Sequence, residues 1–245
     1  MTFQPNQTGG GLGGPGDATQ RINGVEVREG TRVQGAFLTQ AFFWMFAGLL
    51  LTAAVATVVT LNRSLLAFAA DYFLVLFLAQ IGLVLVISAG ITRLNATAAL
   101  GLFFVYAATL GITIGLIVWM YTQESVAAAF LSSSAMFGAA ALYGYTTKRS
   151  LAGVGGFASM AVIGLIVAMV VNVFLSSGPL GFIISAVGVV VFTVLTAYDV
   201  QRISAGQLVE RTGSVEKAAV IGALNLYLDF INLFLFMLRL LGGRR

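Results

Sequence analysis

Seven long apolar runs follow one another along this chain, each close to the roughly 20 residues a helix needs to cross about 30 Å of hydrocarbon. They lie at Ala36–Thr60, Phe73–Ile91, Thr97–Tyr121, Val126–Tyr145, Val154–Leu175, Leu180–Gln201 and Ala218–Leu241. Short polar breaks separate them: "LNRS", "TRLN", "TQES", "TTKRS" and "SSGP" after the first five, and the longer Arg202–Lys217 connection after the sixth. Hydrophobic residues make up 59% of the chain and charged residues 9%, with a mean hydropathy of +0.97. Ordinary globular domains carry roughly 25% charge to wet their surfaces, so the solvent of this chain is a lipid bilayer. The expected fold class is an all-α integral membrane protein of seven transmembrane helices.

Residues 1–34 are rich in glycine and polar residues without apolar periodicity, and read as a disordered tail ahead of a transmembrane domain at 35–245. The tail has no apolar core of the signal-peptide kind. Its formal G-x-G-x-x-G match at Gly11, Gly13 and Gly16 lacks the strand and helix that give this fingerprint meaning, and reads as low complexity.

Cysteine and histidine are absent, which removes disulfides, thiolates, histidine-ligated metals and every Ser-His arrangement. Proton chemistry therefore falls to carboxylates, and no cofactor is expected. The net charge of +4 is spread over loops and termini and reads as topology, not as a nucleic-acid surface. Arg21, Arg28, Arg32, Arg93, Lys148, Arg149, Arg202, Arg211 and Lys217 gather on one side, against Arg63, Arg244 and Arg245 on the other. Positive residues favour the cytoplasmic side, so the N-terminus is expected there. With no organelle address visible, a multi-pass protein of a bacterial inner membrane is the expected setting. Gly111, Gly115 and the small residues from Ser132 to Ala141 mark close helix packing.

The last run, "LNLYLDFINLFLFMLRLL", carries Asn225, Asp229, Asn232 and Arg239. At roughly 100° per residue these four fall within an arc of about 80°. The stripe must face protein or water. A central Asp costs roughly 2.5 to 3.5 kcal/mol on insertion scales, so Asp229 reads either as interhelical hydrogen-bonding glue or as part of an ion or proton path. Counted from Ala218 at 1.5 Å per residue, it lies roughly 16 Å into the membrane. Arg239 is near the helix end and can snorkel to the interface. Asp199 closes the sixth run, where Arg93 at the end of the second is a candidate ion-pair partner and Tyr198 and Gln201 are candidate hydrogen-bonding neighbours.

"ALYGYTTKRSLAGVGGF", "VFTVLTAYDVQRI" and "ALNLYLDFINLFLFMLRLL" resemble the Bax inhibitor motif family over about Ala36 to Leu241. The resemblance implies a seven-helix fold with the last helix central, and a pH-sensitive calcium leak. It implies that Asp199 and Asp229 form a proton-sensing pair and that Arg93 latches onto Asp199. Two carboxylates close together in low dielectric titrate as a unit. On this reading the Arg93–Asp199 contact closes the cytoplasmic end and acidification weakens it. Calcium prefers oxygen ligands, so ionised Asp229 and Asp199, with Asn225 or Asn232, would offer Ca²⁺ a weak, transient site on its path. The expected partners are the bilayer, Ca²⁺ and H⁺, together with other membrane proteins if the chain is instead a non-conducting regulator of cell death or of a membrane protease. An intramembrane aspartyl protease is a further alternative, since two aspartates can share a proton and activate water. Against it, the chain reads "LYLD" where such enzymes resemble G-x-G-D, and no "PAL" follows.

Overall fold

The computed structural model describes residues 19–22 and 25–243, with side chains from residue 37 onward. Helices α1 (Glu29–Leu61), α3 (Phe73–Gly90), α4 (Ala96–Trp119), α5 (Gln123–Thr146), α6 (Ala152–Leu175), α7 (Gly178–Ser204) and α9 (Val215–Leu241) contain seven stretches long and apolar enough to span a membrane. Two short helices join them, α2 (Arg63–Asp71) and α8 (Gln207–Thr212).

The polar breaks start helices as well as ending them. An N-cap side chain satisfies backbone N–H groups that have no partner in the first turn. Asn62 Oδ1 accepts from Ser64 N at 3.0 Å and Leu65 N at 3.3 Å. Asn95 Oδ1 accepts from Ala98 N at 2.7 Å. Thr122, Ser177 and Ser214 do the same for α5, α7 and α9.

The structure departs from the expected layout at two connections and in the tail. α2 follows the first break because Asn62 caps a segment, "RSLLAFAAD", with apolar residues gathered on one face. α8 shortens the polar sixth-to-seventh connection, held between Gly206 and Gly213, both at positive φ. In the tail, β1 (Thr19–Ile22) and β2 (Val25–Arg28) pair antiparallel, with Thr19 opposite Arg28. The β-favouring "VEV" and the hairpin-favouring Asn23–Gly24 sequence fit this pairing within an otherwise glycine-rich segment. The G-x-G-x-x-G match and Arg244 and Arg245 lie outside the described residues.

α9 is the most buried span: 72% of its apolar window is covered, against 56% for α7 and 11% for α3. It packs against α1, α4, α5 and α7. Small residues permit the approach of the other helices. A Cβ on Gly111 of α4 would lie 2.9 Å from the Thr52 carbonyl oxygen of α1, and one on Gly115 would lie 3.0 Å from that of Ala56. The pair expected to mark close packing does so against α1. Gly144 of α5 meets the α7 backbone at Ala197, where an added Cβ would lie 2.8 Å from the carbonyl carbon and overlap its oxygen.

Gly144→Val should therefore force α5 away from α7 and destabilise the fold by about 1–3 kcal/mol. Gly138→Ala, which meets nothing within 4 Å, should be neutral. Thermal unfolding of the two purified variants against the parent checks both.

Candidate functional site

α7 and α9 run antiparallel, as three contacts along their seam show. Gly181 faces Arg239, Gly188 faces the Phe236 ring, and Ile203 faces Gly222. Asp199 and Asp229 sit on this seam between the second and third of these rungs. Asp199 is about 6 Å of helix rise from Ile203, toward the end of the bundle that carries the basic loops.

Asp229 is 5% exposed. Its Oδ2 is, among the described residues, the one buried side-chain nitrogen or oxygen without a hydrogen-bond partner. Asp199 is partly buried, and its carboxylate is near enough to act on that of Asp229. The structure thus brings together the two aspartates singled out in the sequence.

Asp199 makes no ion pair among the described residues, and the cation that acts on it at longer range is Arg202, one turn further along α7. Arg93 is exposed in the turn after α3, and among the described residues it makes no ion pair with Asp199. That turn is held from another direction, by Lys217 Nζ of α9 donating to the Thr92 carbonyl at 3.2 Å. Arg202 was legible only as topology, because its i+3 relation to Asp199 matters once the helix is known to continue to Ser204.

Asn232 turns back on its own helix, its Nδ2 donating to the Leu228 carbonyl at 2.8 Å. Asn225 is partly buried on the same stripe, one turn before Asp229, and has no hydrogen-bond partner among the described residues. Among the described residues no group of three acidic side chains converges as a metal-binding cluster. The seam therefore offers a cation at most two carboxylates and an amide, a donor set suited to brief contact more than to tight retention.

Two neighbours of Asp199 serve the scaffold. The Tyr198 ring packs on Gly155 of α6. Gln201 Oε1 accepts from Leu151 N at 2.8 Å, while its Nε2 donates to the Arg149 carbonyl at 2.9 Å. Gln201 thereby fastens the α5–α6 loop to α7 two residues beyond Asp199.

On α9, Phe230, Ile231 and Phe234 lie roughly 100–200° around the helix from Asp229. They line a cavity of about 540 Å³ between the far ends of α1 and α4 and the start of α5, with Thr52, Thr57 and Thr60 on its wall. At its inner end the Tyr227 hydroxyl lies 2.6 Å from Thr52 Oγ1, which donates to the Ala107 carbonyl at 2.9 Å. Tyr227 therefore donates to Thr52, joining α9 to α1 and α4.

If Gln201 is the fastening, Gln201→Ala should release the Leu151 amide. Its hydrogen exchange should accelerate about two- to tenfold, as expected for losing a net 0.5–1.5 kcal/mol bond. Exchange at the amides around Tyr227 should stay as in the parent.

Residues 34–245 match the family described as "Inhibitor of apoptosis-promoting Bax1". The chain is 44% identical over 215 residues to "Inner membrane protein YbhL" of Escherichia coli K12, covering 85% of this chain and 92% of that protein. A protein of Borreliella burgdorferi is 40% identical over 218 residues, covering 87% of this chain and 94% of its own. One from Deinococcus radiodurans is 42% identical over 209 residues, covering 85% and 90%. The match takes in every membrane span and both seam aspartates, and the chain belongs to the Bax inhibitor-one family of multi-pass membrane proteins.

Proposed function

We propose that this protein is a pH-sensitive calcium leak of a bacterial inner membrane, in which Asp199 and Asp229 share a proton and set the flux. The observation that carries the reading is the orphaned Asp229 Oδ2 beside a second carboxylate. A buried carboxylate oxygen with no donor is costly when ionised. A proton held between the two aspartates supplies that donor and removes one of two like charges. Two unit charges about 4 Å apart repel by about 4 kcal/mol at an effective dielectric of 20, an energy large enough to reweight a two-state equilibrium strongly.

The seam lies between two long helices, so a charge change there acts on their packing. With both aspartates ionised, Asp199 holds its cation and the basic-side end stays shut. Arg93 takes that role when the turn after α3 swings inward, while Arg202, on the same helix as Asp199, attracts its carboxylate without joining two helices. With one proton on the pair the latch loosens while one carboxylate remains to attract Ca²⁺. With two protons that attraction is gone. The cavity on the other face of α9 supplies an approach from the opposite side, ending against Phe230 and Ile231. The E. coli relative's name as an inner membrane protein supports the location, and the basic loops support a cytoplasmic N-terminus.

Calcium entry into proteoliposomes, followed from about pH 5 to 8 across the range where a coupled carboxylate pair can titrate, tests the proposal. The parent should show a maximum at intermediate pH, with flux falling about tenfold or more on either limb. Asp199→Asn and Asp229→Asn should flatten the profile, and Arg93→Ala should raise the alkaline limb alone. A folded parent that passes no Ca²⁺ at any pH would leave the non-conducting regulator reading in place.

A further inference from the structure

Away from the aspartates, two hydrogen-bond donors converge on one point at the end of the bundle where α6 gives way to α7. Asn172, in the last turn of α6, is 7% exposed. Its Oδ1 accepts from Ser177 N at 3.2 Å. That bond fixes the amide orientation and makes Nδ2 the free donor. Arg239, in the last turn of α9, lies over Gly181 of α7. A Cβ at Gly181 would sit 3.1 Å from Arg239 Cζ and 3.2 Å from Asn172 Nδ2. Guanidinium and amide therefore converge over Gly181, whose missing side chain makes room for the Arg239 guanidinium itself.

Neither donor meets an acceptor among the described residues. Glu124 and Asp71, the acids at this end of the bundle, form no ion pair with Arg239 among the described residues. The α7 N-terminus adds little, since Pro179 has no N–H, and Leu180 N and Gly181 N already bond to Ser177. Asn172 Nδ2, on a side chain that is otherwise buried, keeps an opening to the surface beside the exposed, unpaired Arg239 guanidinium, so the two donors are placed to meet an acceptor from outside the protein. The surrounding surface specifies where that acceptor comes from. Val173, Phe174 and Leu175 on α6 and Phe182 and Ile183 on α7 are strongly exposed, Phe174 to 83%. In a bilayer these residues meet acyl chains, directly beside the two donors.

The geometry points to a binding site for the phosphate of an anionic phospholipid, held by Arg239 and Asn172 at the α6–α7–α9 junction with its acyl chains lying along the exposed residues of α6 and α7. A net negative headgroup fits better than a zwitterionic one, because the site offers a cation and a neutral donor with no paired carboxylate for a headgroup amine.

Native mass spectrometry of the full chain in detergent tests this, with phosphatidylglycerol, phosphatidylcholine or inorganic phosphate as the probe. The parent should retain phosphatidylglycerol about tenfold more strongly than phosphatidylcholine, as a charge-assisted, hydrogen-bonded contact predicts. Arg239→Gln and Asn172→Asp should abolish the preference, the second while keeping the acceptor that Ser177 uses. Arg239→Lys should keep part of it, having the charge without the planar fork. Gly181→Ala should weaken it by pushing the Arg239 guanidinium off its seat beside Asn172. Unchanged thermal unfolding of Arg239→Gln would show that its loss of lipid is not a loss of fold. Equal retention of the two lipids by the parent, equal retention of phosphatidylglycerol by parent and Arg239→Gln, or displacement of the lipid by an equal concentration of inorganic phosphate would each overturn the site.

Discussion

A carboxylate oxygen at Asp229, enclosed by protein and met by no donor, is the constraint around which the rest of this molecule is arranged. Hydrocarbon does not tolerate it, so the helix that bears it is covered on most sides, with α1, α4, α5 and α7 drawn against it. Such coverage is possible only where neighbours come close. Gly111 and Gly115 bring α4 to α1, and Gly144 brings α5 to the α7 backbone at Ala197, two residues before Asp199. The packing that shelters one aspartate thus also fixes the other.

The seam between α7 and α9 is graded in polarity along its length. At the basic end Arg202, Asp199 and Asp229 follow one another. The middle is closed by Phe236 against Gly188, and Arg239 lies over Gly181 at the far end. Around these contacts the scaffold is pinned by bonds that do not involve the carboxylates: Gln201 to the α5–α6 loop, Lys217 to the turn after α3, and Tyr227 to Thr52. A seam with a titratable pair near its basic end and fastenings around it is suited to small displacements, because most of the bundle need not unpack for the seam to change.

Much of this was legible in the sequence because bilayer thickness sets helix length and charge cost sets helix faces. The seven spans and the polar stripe on the last one follow from those two rules, and the stripe residues Asp229 and Arg239 do lie against α7. What escaped depends on three-dimensional neighbours. α2 is too short to register as a span and shows itself only through its Asn62 cap and one-sided apolar face. Arg202 and Arg93 read alike as basic residues near helix ends, and only the continuation of α7 to Ser204 brings Arg202 one turn from Asp199 while Arg93 falls in the turn beyond α3. Asn232 looks like a ligand until its amide is seen bonded to Leu228 of its own helix. Asn172, an apparently incidental polar residue in an apolar run, gains meaning only beside Arg239.

A proton held between Asp199 and Asp229 can be read without any transport assay. Infrared difference spectroscopy of the reconstituted protein, with aspartate carboxyl groups isotope-labelled, reports the carbonyl band of a protonated carboxyl as pH is varied. A shared proton should give such a band that disappears on alkalinisation, is abolished in the Asp199→Asn, Asp229→Asn double variant, and is altered in shape or midpoint by either single substitution. A band that the double variant leaves unchanged, or no protonated aspartate in the parent at any pH where the protein is folded, would contradict it.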